Sequence, residues 1–155
     1  MKPVVLRIAD TARRLVWRAF GPRTVGVRGL VVDEHGRVLL VQHTYGKDYW
    51  HLPGGGVKRR ESIVGGLHRE LREEAGIVVR GAPTMLGTYS SLADGKSDHV
   101  TVFVVERWER PSEGRSAEIE RAAFFPPEDL PFDVSPATAR RIAEWRTGVV
   151  TSFDW

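Results

Sequence analysis

Apolar and polar positions change their spacing several times along this chain, and each change marks a predicted element. Residues 24–33 and 37–43 read as two strands around the turn Asp33-Glu34-His35-Gly36. Tyr49–Pro53 reads as a short strand running into a glycine turn. From Ile63 the spacing lengthens to that of a helix. Ile63, Val64, Leu67, Leu71 and Ala75 fall within one sector at about 100° per residue, which predicts a core-facing flank. Ile77–Arg80 and Met85–Ser90 read as extended, and Ala93–Asp98 as a polar loop around Gly95. Val100–Trp108 and Ile119–Phe125 read as strands, and Pro126-Pro127 stops the second. Pro136–Arg146 reads as a C-terminal helix. Strands interleaved with two helices in this order predict an α/β (α+β) fold with a mixed β-sheet between helical layers.

The first residues stand apart from this pattern. Ile8, Ala12, Leu15, Val16 and Ala19 share one helical face, with Arg7, Arg14 and Arg18 opposite, and Gly21-Pro22 ends the run. Seven basic residues against Asp10 leave residues 1–30 at +6 and the rest of the chain, whose net charge is +3, at −3. Residues 1–22 are therefore expected to form a basic amphipathic helix ahead of a domain spanning 23–155. Packing of its apolar face on the domain or on a second subunit is the preferred reading. Contact with nucleic acid or an anionic membrane is the alternative.

Composition narrows the field. A chain of 155 residues, 41% hydrophobic and 28% charged, is long enough for one packed core. It has no cysteine, which excludes disulfides and thiolate metal sites. No apolar run approaches a membrane span and no cleavable leader is visible, so a cytoplasmic location is expected.

The acids carry the candidate chemistry. With Glu70 at zero, Glu74 falls near ~40° and Glu73 near ~300°, so three carboxylates share one sector beside the core-facing flank. Acids at this spacing repel one another, and Mg²⁺ or Mn²⁺, which favour oxygen donors, would relieve the repulsion. Arg69 can steady the group from its edge. A solvated charged face is the competing reading of such a helix.

The spacing from Gly55 through Glu61 to Arg69-Glu70-Leu71-Arg72-Glu73-Glu74-Ala75-Gly76-Ile77 resembles the Nudix box, with its fixed positions filled by Gly55, Glu61, Arg69, Glu70, Glu73, Glu74 and Gly76. Trp50-His51-Leu52-Pro53-Gly54-Gly55-Gly56 is similar to the family's approach to that box. The resemblance implies the Nudix fold and an enzyme that cleaves a nucleoside diphosphate linked to another moiety, by water attack on phosphorus with divalent cations. It implies Gly55, Glu70, Glu73 and Glu74 as metal ligands, Arg69 as the arginine that orients them and Glu61 as a support of the loop and helix. Glu73, Glu74, Arg69 and Glu118 are the expected catalytic group, with Glu118 matching a downstream glutamate that reaches the metals and Glu120 the weaker alternative.

Substrate contacts are expected from Tyr45, His51, Lys58 and Arg60. Tyr45, Lys47, Tyr49, Trp50 and His51 precede the glycine turn, where an aromatic ring can stack on a base; Trp50 is expected in the core. His35, His43 and His68 show no metal-ligand spacing, and Trp145 and Trp155 are candidates to cover the cleft or form an oligomer seam. Leu92 stands where ADP-ribose hydrolases of the family carry a proline, and Tyr89 lies too early for the tyrosine of dinucleoside polyphosphate hydrolases. A nucleoside triphosphate or a small nucleotide-linked diphosphate is therefore the expected substrate. An RNA 5′-end pyrophosphohydrolase and a non-catalytic nucleotide-binding regulator are the competing functions.

Overall fold

The computed structural model describes residues 23–44, 49–92, 97–111 and 116–155. The N-terminal helix expected over residues 1–22, Tyr45 and Lys47 lie outside the described residues. Strand β1 (Arg23–Val31) and β2 (Val38–His43) flank the Asp33–Gly36 turn, in which Asp33 accepts from the backbone N–H groups of His35 and Arg37. Two short strands follow, β3 (Trp50–His51) and β4 (Gly54–Gly56), then helix α1 (Ile63–Ala75). Beyond it come β5 (Val78–Val79), β6 (Thr84–Ser91), β7 (Ser97–Val105), β8 (Trp108–Glu109), β9 (Ile119–Phe125) and helix α2 (Pro136–Thr147).

The strands form a four-stranded sheet in the order β4-β1-β7-β6, a three-stranded sheet β3-β2-β9, and the pair β5-β8. β1 runs parallel to β7, from Arg23 opposite Ser97 to Val31 opposite Val105, whereas β4 and β6 are antiparallel to their neighbours. Side-chain alternation then divides the core in two. Val27, Val31, Leu39, Phe103 and Val105 meet Leu67, Leu71 and Ala75 of α1. Leu30, Val32, Val38, Leu40, Val102 and Val104 face the other way and pack with Ile142 of α2. The sheets therefore lie between two helices, as the element order predicted.

Each helix is bounded by local chemistry. Ser62 caps α1 by accepting from the Gly65 N–H, and Gly76 closes it with φ 68°. Ser135 caps α2 by accepting from the Thr138 N–H, with Pro136 in the first turn and Gly148 ending it. Leu67 and Leu71 are fully buried, worth about 1.5–3 kcal/mol each. Ile63 and Val64, expected on the core flank, are instead exposed. The helix makes a close approach at Gly66, where a Cβ would sit 3.3 Å from Val57 and 3.5 Å from Val27.

Other expectations shift in extent. The strand predicted over Tyr49–Pro53 shrinks to Trp50–His51, and the glycine turn after it is itself the strand β4. The stretch Val100–Trp108 divides, because Trp108–Glu109 leaves β7 to pair with β5. Trp50 is buried as expected. Trp145 and Trp155 pack against the core cluster on the α2 face rather than over a cleft. No helix among the described residues is long and apolar enough to cross a membrane.

The chain after α2 is tied back by buried charge. Glu144 accepts from Tyr89 Oη (3.0 Å), Arg141 Nη2 (2.8 Å) and the Thr151 N–H (3.0 Å). Arg141 Nη1 donates to the Asp154 carbonyl, and its guanidinium lies 3.7 Å from the Tyr89 ring centroid. The tail then runs along the β6 edge, where Ser90 N–H donates to Phe153 O and Trp155 N–H to Ser90 O.

Candidate active site

Three elements converge where β4 meets the C-terminal half of α1. β4 pairs with β1 so that Gly54 lies opposite Arg28 and Gly55 opposite Val27. Gly54 adopts φ 141°, a conformation that L side chains rarely take. Arg28 Nη1 donates to the carbonyls of Leu52 (3.1 Å) and Gly54 (2.6 Å), so a guanidinium braces the turn from the sheet side. From above, α1 lowers Glu70 and Glu74 onto the same backbone. The Glu70 carboxylate packs so close to Gly55 that a Cβ there would lie 2.5 Å from Oε1.

Arg69 organises the outer acids. Nε and Nη2 grip Glu61 at 2.8 and 3.0 Å, Nη2 also donates to the Gly56 carbonyl, and Nη1 reaches Glu70 at 2.6 Å and Glu73 at 3.4 Å. The Arg69 hydrogen bonds, with the Lys58 N–H, draw the Glu61 carboxyl down to about 2. Hydrogen bonds to Glu61 and then to Glu70 hold Arg69 above its ordinary range, against the effect of burial. Glu61 therefore joins the loop before α1 to the helix, the supporting role that the sequence suggested.

Glu74 is the buried acid, 5% exposed. Its Oε2 accepts from the Gly54 N–H at 2.8 Å, and its Oε1 lies 3.1 Å from His43 Nε2. Burial pushes its carboxyl above the usual carboxylate range, against the opposing pull of the Gly54 N–H, Arg28 and His43. Across the site, burial, then the charges of Arg28 and His43, lower the His51 imidazole to about 4, so it is neutral near pH 7.

These groups enclose a cleft of about 520 Å³. Glu70, Glu74 and Glu118 supply its acids, Gly54–Gly56 its backbone, and Arg28, His43, Tyr49 and His51 its remaining walls. The rings of His43 and His51 meet edge to face at 5.9 Å, and those of Tyr49 and His51 at 6.3 Å. Glu118 reaches this cleft from the segment before β9, where its carbonyl accepts from the Thr44 N–H. Glu120 is exposed and lies outside the lining.

The expected site residues thus fall into groups. Gly55, Glu70, Glu74, Glu118 and His51 come together in the cleft. Arg69 stands behind them. Glu73 lies outside the lining, its side chain 52% exposed, with its carboxylate turned to Arg69. Lys58 and Arg60 are exposed on the turn before α1 and do not line the cleft; Arg60 holds φ 64° there. Two lining residues were not predicted, Arg28 and His43. Parity along the strands offered the only sign: His43 shares a face with Leu39, which packs under α1.

The donors available to a cation are hard oxygens, which suit Mg²⁺ or Mn²⁺ in kind. Among the described residues, no three acidic or histidine side chains are arranged to hold one ion. Arg69 engages Glu70 and Glu73, while Gly54 and His43 engage Glu74. The carboxylates of Glu70 and Glu74 nevertheless open on one cleft beside the glycine backbone, so the chemistry of the donor set fits such a cation.

Comparison with known proteins identifies the family. A family model described as the NUDIX domain matches residues 22–146. An RNA pyrophosphohydrolase of Saccharophagus degradans is 42% identical over 48 residues, 31% of this chain and 28% of that protein. An 8-oxo-dGTP diphosphatase of Buchnera aphidicola is 49% identical over 43 residues, 28% of this chain and 35% of that protein. The chain therefore spans only about a third or less of these curated relatives. Among solved structures, a MutT NUDIX hydrolase from Burkholderia pseudomallei superposes with a TM-score of 0.69 at 26% identity, covering 79% of this chain and 97% of that one.

Proposed function

The chain belongs to the Nudix family, and from that membership and the cleft we propose that it is a divalent-cation-dependent hydrolase of phosphoric anhydrides, acting on a nucleoside triphosphate or a small nucleotide-linked diphosphate. One observation carries the reading: Glu70, Glu74 and Glu118 open on the same cleft as the glycine backbone of β4, with Arg28 on its wall. Glu70, Glu74 and the Gly55 carbonyl would hold Mg²⁺ or Mn²⁺, with Glu73 joining from the rim. Bound there, the cation would offset the charge of the diphosphate and lower the pKa of water. Cleavage of an anhydride depends mainly on such charge compensation and on positioning.

The chain's own groups divide the remaining work. Arg69 ties Glu61 and Glu70 to the glycine strand and so favours the gathered arrangement of the acids. Glu118 faces the cleft from outside α1 and is the group we assign to accept a proton from attacking water. Tyr49 and His51 form an aromatic wall, and a neutral imidazole there suits a base better than a phosphate.

A substrate panel tests the proposal: nucleoside triphosphates, nucleotide sugars, ADP-ribose, dinucleotides and 5′-triphosphorylated RNA, with Mg²⁺ and product identification. RNA is included because one relative is named an RNA pyrophosphohydrolase. Glu70→Gln and Glu74→Gln are each expected to lower turnover by about 10²- to 10³-fold, the range for loss of a transition-state stabiliser. Tight nucleotide binding without product on any substrate would favour a binding regulator. Full turnover in both variants would remove the assignment of these acids.

A further inference from the structure

We propose that His43, which lies outside the glutamate-rich segment, is a positioning residue that fixes Glu74 toward the cation site. The inference rests on the function proposed above. Both oxygens of the Glu74 carboxylate are engaged. Glu74 Oε2 is held by the Gly54 N–H at 2.8 Å, and Oε1 by His43 Nε2 at 3.1 Å. The Gly54 contact alone would leave the carboxylate free to turn about its last bond. The second contact, from a strand 31 residues away in sequence, removes that freedom.

Several features of the fold bring His43 to this place. It ends β2, on the same side as Leu39, which packs under α1. The ladder between β2 and β9 then breaks register, with Gln42 opposite Arg121 but His43 opposite Ile119. The extra residue on β9 is Glu120, and such bulges re-aim side chains beside functional sites. This one sits where His43 and, one residue before Ile119, Glu118 both reach the cleft. The imidazole is 14% exposed and its flank is covered by the His51 ring at 5.9 Å, so water has little access to the contact. With Nε2 engaged by Glu74, the ring acts through that carboxylate. Partners of this kind commonly set metal affinity by 10- to 100-fold.

The experiment measures Mn²⁺ binding to the full chain by titration calorimetry and electron paramagnetic resonance, without substrate. His43→Ala should weaken Mn²⁺ affinity by about 10- to 100-fold. His43→Gln, whose amide can reach the same oxygen, should recover most of that loss. The thermal midpoints of the two variants in EDTA should coincide. If His43→Ala does not fold, His43→Asn takes its place, since its shorter side chain stops before the carboxylate. Parental affinity in the Ala or Asn variant, or a Gln variant as weak as Ala, overturns the role of His43. If instead Glu74→Gln also leaves Mn²⁺ affinity unchanged, or the parent binds none, the cation reading itself fails, and the His43 inference fails with it.

Discussion

Two adjacent glycines should give opposite results when a single methyl group is added. At Gly54, with φ 141°, a new Cβ would collide with the Val27 carbonyl oxygen and lie 2.9 Å from Arg28 Cα. Both neighbours are backbone of β1 and cannot yield without breaking the β1–β4 pairing. Backbone strain of about 1–3 kcal/mol and overpacking of about 1–3 kcal/mol predict a loss near 2–6 kcal/mol, a large part of a typical total stability. At Gly55 the φ is not restrictive, and the nearest atoms are the end of a flexible side chain, with Glu70 Oε1 at 2.5 Å and Cδ at 2.7 Å. Glu70 can swing away at the cost of its contact with Arg69. That contact is partly exposed, so the loss is about 1 kcal/mol or less. In urea, with a slope of about 2 kcal/mol per molar, Gly54→Ala should lower the midpoint by roughly 1–3 M and Gly55→Ala by less than about 0.5 M. Turnover with Mg²⁺ should nonetheless fall about 10- to 100-fold in Gly55→Ala, because the acid it displaces belongs to the cation site. A Gly55→Ala protein with full activity, or one as unstable as Gly54→Ala, would refute the placement of Glu70 against this backbone.

The α2 charges and the pH response supply two further tests. Glu144→Leu strands the fully buried Arg141 and should cost about 3–5 kcal/mol, whereas the double replacement Arg141→Met/Glu144→Leu should cost less than that single change; urea midpoints decide, and equal losses would contradict the pairing. Burial raises the Glu144 carboxyl, but the Thr151 N–H and hydroxyl, Tyr89 and Arg141 outweigh it and leave the group below its ordinary 4.5. The unfolded chain then binds more protons, so this stabilisation is present above pH 4.5 and is lost as pH falls below it. His51 contributes a separate loss between pH 6.5 and about 4, and Tyr89, pushed up to about 12, one that begins as pH rises past 10. Midpoints measured against pH should show a shallower alkaline slope in Tyr89→Phe and a shallower slope below pH 4.5 in Glu144→Gln, where Glu61 still contributes; unchanged slopes would contradict those assignments.

What the sequence revealed and what it concealed follow from the range of the interactions involved. Helix α1 was legible because its signals are local: a repeat near 3.6, a serine before it and a glycine after it. β7 was legible because a run of valines needs no partner to be recognised. β4 was not, since three glycines carry no alternation, and only the ladder with β1 makes them a strand. Residues 148–155 carry no period either. They are ordered by Glu144, which in sequence reads as half of an ordinary i,i+3 pair on the outside of a helix.

The site divides on the same line. Spacing placed Glu70, Glu73 and Glu74 in one sector, but a sector does not say what each acid touches. In the fold Glu73 stays at the rim with Arg69 while Glu74 is buried against the glycine strand. A buried acid needs hydrogen-bond partners to offset the cost of leaving water. The partners that Glu74 meets come from the strands rather than from α1. Gly54 and His43 supply them from β4 and β2, two strands that belong to different sheets. That requirement makes His43 part of the site despite its distance from the motif, and it explains why no pattern within the motif could have named it.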